Sequence, residues 1–272
     1  MDLLHATILG IVEGLTEFLP VSSTGHLVLV GHWLGLGQGA DKEALDAFDI
    51  VVQAGAWLAC VLYYIPLLQE KFRAAIGPDP VPRQQARSLI LAVAAGFVPI
   101  AIIGKLFGKV VKAKLFHPTP IAIALVVGGV VMIVAERLLR NRGRISLQDM
   151  NLRTGLAIGT LQCAALVPGT SRSMATIVGG LVLGLDVKAA ADFSFLLAIP
   201  VLGAATGYEV IKSWHALMND IGPEAITVGL IASFLTGLAA IAFFLKSLKA
   251  FGLTAFGIYR IALGAIVWLT LR

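Results

Sequence analysis

Charged residues are scarce in this sequence. They make up 14% of the 272 residues, whereas a soluble globular domain carries about a quarter. Hydrophobic residues reach 58% of the chain, and the mean hydropathy is +0.89. So few charges cannot cover a water-exposed surface of this size. The composition therefore excludes an ordinary soluble domain and indicates that lipid is the solvent for much of the chain.

Cysteine is scarce as well, and no motif of nucleic-acid binding is found. Cys60 and Cys163 lie in separate apolar segments without metal-site spacing, so we expect inert packing residues rather than a disulfide framework. The net charge is +5, but the basic residues cluster at the ends of apolar runs, where they report topology. Nucleic acid is therefore not an expected partner. The start of the sequence lacks a basic region followed by a cleavage site, so no cleaved signal peptide is expected.

Six apolar stretches are long enough to cross a bilayer, since about 20 helical residues span its hydrocarbon core. The predicted spans are 47–68, 88–107, 119–136, 191–212, 225–245 and 251–271. The connections 69–87 and 137–153 are rich in basic residues, so the positive-inside rule places them in the cytoplasm. The connection 246–250, with Lys246 and Lys249, is expected on that side too. The lysines of 105–117 fall on the opposite side and conflict with the rule.

Residues 2–36 and 154–186 are apolar overall but are interrupted by proline and polar residues. The interruption reads EGLTEFLPVSSTGH over 13–26 and QCAALVPGTSRS over 162–173. Two short helices that meet at a polar turn are typical of a re-entrant hairpin. Such backbone is tolerated at membrane depth where protein or a wet cavity surrounds it. We therefore predict a re-entrant helical hairpin in each segment.

The two broken segments resemble each other, and each precedes three predicted spans. Residues match at offsets of 148 or 149, namely Gly10 with Gly159, Glu13 with Gln162, Pro20 with Pro168, Gly31 with Gly179, and Gly35 with Gly184. Because a re-entrant hairpin adds no crossing, three spans per copy make the second copy inverted. The predicted fold is one all-α integral membrane domain over 1–272. It has six transmembrane helices and two re-entrant hairpins, with repeats at about 1–137 and 150–272.

Glu13 and Glu17 lie four residues apart and therefore share one face of the first short helix. Carboxylates at membrane depth are costly and usually functional. Two of them side by side repel unless one is protonated or a cation lies between them. Oxygen ligands suit a hard divalent ion, so the pair predicts a site for Mg²⁺ or Ca²⁺. A solvated helix end is the plainer alternative, which the apolar flanks disfavour.

Ser23 and His26 follow Pro20 at a predicted helix start. The hydroxyl could simply cap the helix. The spacing of three residues also lets the imidazole reach the hydroxyl, which would make a pair of nucleophile and base.

Arg172 lies in an apolar segment and needs an anionic partner. Phosphate oxygens fit its guanidinium, and free backbone N–H groups of the following helix attract anions as well. A structural ion pair of Arg172 with Glu13 or Glu17 is the competing explanation, and it would still bring the two motifs face to face.

These segments are similar to the two motifs of the undecaprenyl-pyrophosphate phosphatase family, which is known for bacitracin resistance. The stretch 13–26 matches the first motif, and PGTSRSMAT at 168–176 matches the second, a PGxSRSxxT pattern. Their order and the apolar framework fit over essentially the whole chain. The phosphatidate type of membrane phosphatase is excluded, because its Arg-Pro element is absent. The family's functional positions fall on Glu13, Glu17, Ser23, His26, Ser171, Arg172 and Thr176.

The resemblance implies hydrolysis of undecaprenyl pyrophosphate to undecaprenyl phosphate and inorganic phosphate, which recycles the carrier lipid for peptidoglycan synthesis. It implies that Glu13 and Glu17 hold Mg²⁺ or Ca²⁺, and that Ser23 attacks with His26 as base or acid. His26 as the nucleophile stays open. The expected phosphate-binding residues are Ser171, Arg172, Ser173 and Thr176.

The expected partners are a polyprenyl pyrophosphate and membrane lipids, and a homodimer is left open. The expected location is the bacterial inner membrane, with several crossings and a site that opens to the outer, periplasmic face. The alternative from another class is a transporter or flippase that moves a lipid phosphate or an anion through the same inverted-repeat site. Such a carrier would need Arg172 but no nucleophile.

Overall fold

The computed structural model of the protein describes residues 1–36 and 42–271, and helices account for most of them. The helices, in chain order, are α1 (Leu3–Glu17), α2 (Ser23–Trp33), α3 (Lys42–Ile76), α4 (Pro80–Leu115), α5 (Pro118–Leu139), α6 (Leu152–Gln162), α7 (Arg172–Val182), α8 (Val187–Lys212), α9 (Trp214–Ala216), α10 (Pro223–Phe251) and α11 (Thr254–Thr270). Short 3₁₀ turns at Leu147–Asp149 and Cys163–Leu166 and a π-helical turn at Leu217–Ile221 join some of them.

Within residues 1–36 and 42–271, five helices are long and apolar enough to cross a membrane, namely α3, α4, α5, α8 and α10. They contain the first five predicted spans. The sixth, 251–271, coincides with α11, whose 17 residues rise about 26 Å at 1.5 Å per residue. The chain is therefore a helical membrane protein with several crossings, and a sixth crossing stays a prediction.

Two helices extend well beyond the predicted spans. The connection predicted at 69–87 is helical except at residues 77–79. Pro80 starts α4 without losing a hydrogen bond, because the first helical N–H has no acceptor in any helix. Arg87 Nε donates to the Ala75 carbonyl at 2.9 Å and closes this corner. Helix α4 also continues through Leu115, so most of 105–117, predicted as a loop, is helical.

Large apolar side chains cover the outer faces of the helices. Ile211 is 82% exposed, Leu269 75% and Leu106 65%. Water would penalise an apolar surface of this extent, whereas lipid tails solvate it. The outward-facing residues therefore agree with the lipid environment that the composition indicates.

The short helices pack in pairs against long ones. Helix α1 lies chiefly along α10, and α6 lies along α4. Glycines line both crossings: a Cβ on Gly10 would lie 3.0 Å from Gly229 Cα, and one on Gly159 would lie 2.6 Å from Gly96 Cα. Such small residues let helix backbones approach closely in a membrane. This packing brings together two polar turns, which we name the first serine turn (18–22) and the second serine turn (167–171).

Candidate active site where two serine turns meet

Each serine turn ends in a serine with unusual backbone geometry. Ser22 has φ 73° and Ser171 has φ 71°, and they are the only non-glycine residues with positive φ in the described ranges. Each hydroxyl caps the helix that follows, because Ser22 Oγ accepts from Gly25 N and Ser171 Oγ accepts from Met174 N. Strain of this kind is concentrated at functional sites. The helices α2 and α7 therefore both begin directly after a strained, capping serine.

A charged pair joins the two halves of the chain at this point. Arg172 Nη2 donates to Glu17 Oε1 at 3.0 Å, and the two side chains are only 9% and 8% exposed. The ion pair considered from the sequence is therefore present, with Glu17 as the partner. Ser23 Oγ donates to the other oxygen, Oε2, at 2.8 Å. A continuous relay thus runs from the hydroxyl through the carboxylate to the guanidinium.

The guanidinium keeps one donor free. Nη1 of Arg172 donates to the Ser194 carbonyl at 3.1 Å, and the Phe18 ring lies 5.4 Å from its Cζ. Nε is buried without an acceptor. A buried donor without a partner is costly, so this atom is suited to bind an oxygen of an incoming anion.

Glu13 lies one helical turn before Glu17 and is completely buried. Neither of its carboxylate oxygens has a hydrogen-bond partner. The side chain of Gln162, which matches Glu13 in the second half, is also buried without hydrogen-bond partners. The carboxylates of Glu17 and Asp49 lie close enough to Glu13 to repel its negative charge. An isolated buried carboxylate is strongly unfavourable. A proton, a water molecule or a cation would have to compensate the buried charge of Glu13.

The residues fit a hard divalent cation in the manner of Mg²⁺. In the described part of the chain, no three His, Cys, Asp or Glu side chains converge as a complete metal site. Mg²⁺ usually takes only one or two carboxylates and fills its other positions with water and substrate phosphate. The two free oxygens of Glu13 and the neighbouring Glu17 match that incomplete set.

His26 does not contact Ser23. Its Nδ1 lies 2.7 Å from the Ser22 carbonyl, and its Nε2 lies 2.7 Å from the Tyr259 hydroxyl. A carbonyl only accepts, so Nδ1 carries the proton and Nε2 of the neutral ring accepts from Tyr259. The predicted hydrogen bond between Ser23 and His26 is therefore not formed in this structure. Ser23 turns back towards α1, because a buried carboxylate is a stronger acceptor than a neutral imidazole.

The other predicted phosphate-binding residues separate into two groups. Ser171 Oγ lies 3.0 Å from Ser173 Oγ, and Ser173 Oγ donates to the Leu19 carbonyl of the first serine turn at 3.0 Å. Thr176 points away from the space between the turns. Its Oγ1 lies 2.6 Å from Ser194 Oγ, and the Ser194 carbonyl in turn accepts from Arg172. Thr176 therefore contacts the guanidinium of Arg172 indirectly, through Ser194.

A cavity of about 260 Å³ adjoins the turns and is lined by Thr24 and Pro168 from the two halves. Asp49, Gln53 and Lys112 add polar groups from α3 and α4. The Oδ1 atom of Asp49 is buried without a hydrogen-bond partner. The cavity thus reaches the residue after Ser23 and the first residues of the second serine turn, while Ser23, Glu17 and Arg172 themselves do not line it.

Sequence reasoning missed two neighbours on α11. Arg260 is fully buried, and its place in the apolar stretch 251–271 was a usable signal, since ionisable residues inside a membrane are rarely without a role. Tyr259 stacks on His26, with ring centroids 5.6 Å apart and planes inclined by 9°. No sequence pattern pointed to that contact, because the two residues are far apart in the chain.

Fold and site together define a helical membrane protein in which a buried hydroxyl, a carboxylate and a guanidinium from the two halves of the chain are joined by hydrogen bonds. Residues 6–266 match the family model described as bacitracin resistance protein BacA. The chain belongs to this family.

Curated relatives match nearly the whole chain. An undecaprenyl-diphosphatase of Sorangium cellulosum is 51% identical over 269 residues, which cover 97% of this chain and 85% of the relative. The undecaprenyl-diphosphatase 1 of Chromobacterium violaceum is 46% identical over 266 residues, or 97% and 95% of the two chains. The undecaprenyl-diphosphatase of Nitrosomonas europaea is 45% identical over 269 residues, or 98% and 94%.

Proposed function

We propose that this protein hydrolyses undecaprenyl pyrophosphate to undecaprenyl phosphate and inorganic phosphate. The observation that carries the proposal is the buried relay of Ser23, Glu17 and Arg172, in which each half of the chain supplies a part. Relatives that share about half of its residues bear the name of this activity. The reaction would return the carrier lipid to peptidoglycan synthesis and would account for bacitracin resistance in this family.

The proposed substrate suits the surroundings of the site. Its prenyl tail belongs among lipid tails and apolar helix faces, while its pyrophosphate needs the polar space between the serine turns. There the N-terminal ends of α2 and α7 offer N–H groups and positive dipole ends, and Arg172 Nε is free to bind an oxygen. Both turns come from one chain, so a second copy is not needed to complete the site.

In the proposed reaction Ser23 Oγ attacks the terminal phosphorus. Its proton passes to Glu17 Oε2, 2.8 Å away, and the bond from this phosphorus to the bridging oxygen breaks. The lipid monophosphate leaves with that oxygen, and a phosphoserine remains. Water then attacks the phosphoserine, and one of its hydrogens goes to Ser23 Oγ as that oxygen leaves the phosphorus. The proton held by Glu17 passes to the released inorganic phosphate, which restores the carboxylate. Such a transfer requires mainly alignment and charge stabilisation, which Arg172 and the helix ends supply.

His26 has a different role in this scheme from that of a base for Ser23. Its Nε2 is bonded to Tyr259, so it can act on the substrate only after that hydroxyl rotates away. It could then donate a proton to the leaving monophosphate once the ring is protonated. Attack by Nε2 itself is the alternative reaction, and it needs the same release of Tyr259.

A bound Mg²⁺ or Ca²⁺ would neutralise phosphate oxygens in this reaction. Glu13 would hold it through its two free oxygens, with Glu17 beside it. Phosphate and water would supply the remaining ligands.

The full topology belongs to the same proposal: six crossings and two re-entrant hairpins, related as inverted repeats. In both halves two short helices come first. They are followed by α3, α4 and α5 in the first half and by α8, α10 and the 17-residue α11 in the second, where the short α9 lies between α8 and α10. The packing partners are exchanged, since α1 lies on α10 whereas α6 lies on α4. This exchange is the pattern expected of two interlocked copies.

The site would open to the periplasmic face of the inner membrane. The argument rests on the basic connections 69–87 and 137–153, which would face the cytoplasm. The cavity of about 260 Å³ lies at the N-terminal end of α3, beside Asp46 and Asp49, and therefore at the end opposite to the connection 69–87. There Lys112 pairs with Asp46 at 3.0 Å, which offsets one positive charge on the side where lysines conflict with the rule. The side chain of Lys249 lies outside the described residues.

The test is phosphate release from a long-chain prenyl pyrophosphate by purified protein in detergent. We expect release with added Mg²⁺ or Ca²⁺, little release with chelator, and loss of release in Ser23→Ala and in Arg172→Ala. Ser146→Ala is a matched control, because this hydroxyl bonds an exposed carboxylate, that of Asp149, far from the site. Folded protein that releases no phosphate with metal present would refute the proposal.

A second candidate is transport of a lipid phosphate or an anion, and one observation favours it. A cavity of about 1060 Å³ lies at the opposite end of α3, lined by Tyr64, Lys71 and Lys188. A chain of ring contacts leads from Arg172 to this cavity: Arg172 lies against Phe18, and the centroid distances are 5.2 Å from Phe18 to Phe195 and 6.0 Å from Phe195 to Tyr64. Transport in vesicles that persists in Ser23→Ala and fails in Arg172→Ala would support this candidate.

A further inference from the structure

One side chain outside both motifs touches both serine turns. Arg260 of α11 is 0% exposed. Its Nη1 donates to the Pro20 carbonyl at 3.1 Å, and its Nη2 donates to the Gly169 carbonyl at 2.8 Å. A single rigid guanidinium therefore ties the backbone of the first turn to the backbone of the second.

The remaining donors of Arg260 anchor it to α5. Nη2 also donates to the Ala124 carbonyl at 3.1 Å, and Nε donates to the Leu125 carbonyl at 3.4 Å. No ion pair of the described residues includes Arg260. A buried charge without a carboxylate is expensive even when carbonyl dipoles surround it. An apolar residue of similar size would avoid this desolvation cost, but it would also remove the donor that the Pro20 and Gly169 carbonyls share.

The tied carbonyls stand in equivalent places in the two turns. Pro20 lies three residues before Ser23, and Gly169 lies three residues before Arg172. The planar fork fixes both carbonyls at once, so it fixes the distance between the turns that carry the hydroxyl and the phosphate-binding cation. Lysine could not do this, because its donors radiate from a single nitrogen.

We propose that Arg260 is a positioning residue, which holds the two serine turns in register for phosphoryl transfer. The proposal rests on the proposed function, because it concerns alignment of that reaction. Arg260 acts through the placement of Ser23, Glu17 and Arg172 and does not touch the substrate. Misplacement of reacting groups by about 1 Å can cost on the order of 100-fold in rate.

The most specific perturbation is Gly128→Ala, which displaces the guanidinium without replacing Arg260 itself. A Cβ on Gly128 would fall on Nη2 of Arg260 and lie 2.9 Å from its Cζ, so the added methyl pushes the guanidinium off its carbonyls. Gly207→Ala is the matched control, because a Cβ there meets nothing within 4 Å. Arg260→Lys, which keeps the charge, and Arg260→Met, which removes it, complete the set.

The kinetic readout is kcat and KM for phosphate release, measured on detergent-solubilised protein whose folded fraction is determined by thermal unfolding. We expect kcat to fall by about 10- to 100-fold in Gly128→Ala and Arg260→Lys, with KM changed less than about threefold. Gly207→Ala should keep both constants. Wild-type kcat in folded Gly128→Ala and Arg260→Lys would overturn the proposal, as would a loss that merely follows the unfolded fraction.

A second readout does not depend on activity. Thr24 and Ala165 line the same cavity from the two halves, so cysteines at these positions can be joined by a short bifunctional maleimide after Cys60 and Cys163 are replaced by serine. We expect Gly128→Ala to change the crosslinking rate several-fold, while Gly207→Ala leaves it unchanged. Equal rates would overturn the proposal. An inactive wild type would refute the proposed function. The crosslinking rates would then still show whether Arg260 holds the two serine turns in register.

Discussion

Replacement of Glu17 by glutamine should damage stability and activity together. The carboxylate receives a donor on each oxygen, from Ser23 at 2.8 Å and from Arg172 at 3.0 Å. Glutamine has nearly the same shape but only one acceptor oxygen. Its amide group must therefore face either the hydroxyl or the guanidinium, and Arg172 loses the carboxylate with which it forms its ion pair.

The size of the effect follows from burial. Removing one partner of a buried ion pair costs about 3–5 kcal/mol, because the other charge stays uncompensated. Arg172 keeps its bond to the Ser194 carbonyl and its contact with the Phe18 ring, so we expect the lower end, about 3 kcal/mol. In the proposed reaction Glu17 also accepts the Ser23 proton, and loss of such a group lowers kcat by about 100- to 10,000-fold.

The matched control is Glu209→Gln. Glu209 is equally buried and accepts from Lys212 at 3.1 Å and from Ser213 at 2.8 Å, but Lys212 is 43% exposed. Water can solvate that lysine, so we expect a cost of about 1 kcal/mol or less and unchanged turnover.

Unfolding in mixed micelles and phosphate release on the same preparations provide the comparison. The double variant Glu17→Gln with Arg172→Met should regain stability but not activity, because it removes the uncompensated charge. Equal destabilisation by Glu17→Gln and Glu209→Gln, or turnover of Glu17→Gln within threefold of wild type, would refute the reasoning.

Three further predictions concern neighbouring contacts. Tyr259→Phe should change kcat and its pH dependence through His26 alone, so that adding it to His26→Gln has no further effect; additive losses would contradict this. Gly159→Ala should destabilise the protein by roughly 1–3 kcal/mol through overpacking at the crossing of α6 and α4, while Gly207→Ala leaves the unfolding midpoint unchanged. Glu13→Gln should raise the Mg²⁺ concentration that gives half-maximal release by at least about tenfold; an unchanged requirement would remove this carboxylate from the metal site.

The helices and the meeting of the two motifs could be predicted from the sequence. Long apolar runs determine where helices cross, because lipid tolerates no unpaired backbone. The paired interruptions around Pro20 and Pro168 indicated that both lie near one axis, and the contact of Glu17 with Arg172 agrees with this. Helix ends were less predictable, since α3 and α4 continue past the apolar run wherever the backbone can keep its hydrogen bonds.

The partners of individual side chains could not be predicted in the same way. Helical spacing shows that His26 can reach Ser23, but it does not show that Glu17 is a stronger acceptor on the other side of the hydroxyl. The partners of Arg260 in the described ranges are backbone carbonyls. Every residue offers the same carbonyl, so no sequence pattern marks these partners. Contacts between distant segments therefore had to come from the structure.

The measurement that tests the central claim most directly is hydrolysis of undecaprenyl pyrophosphate in water labelled with heavy oxygen. The account predicts that the label enters inorganic phosphate and not the lipid monophosphate, because the terminal phosphorus is attacked. It also predicts that Ser23→Ala and Arg172→Ala, when folded, release no labelled phosphate. Label in the lipid monophosphate, or wild-type release by folded Ser23→Ala, would contradict the account.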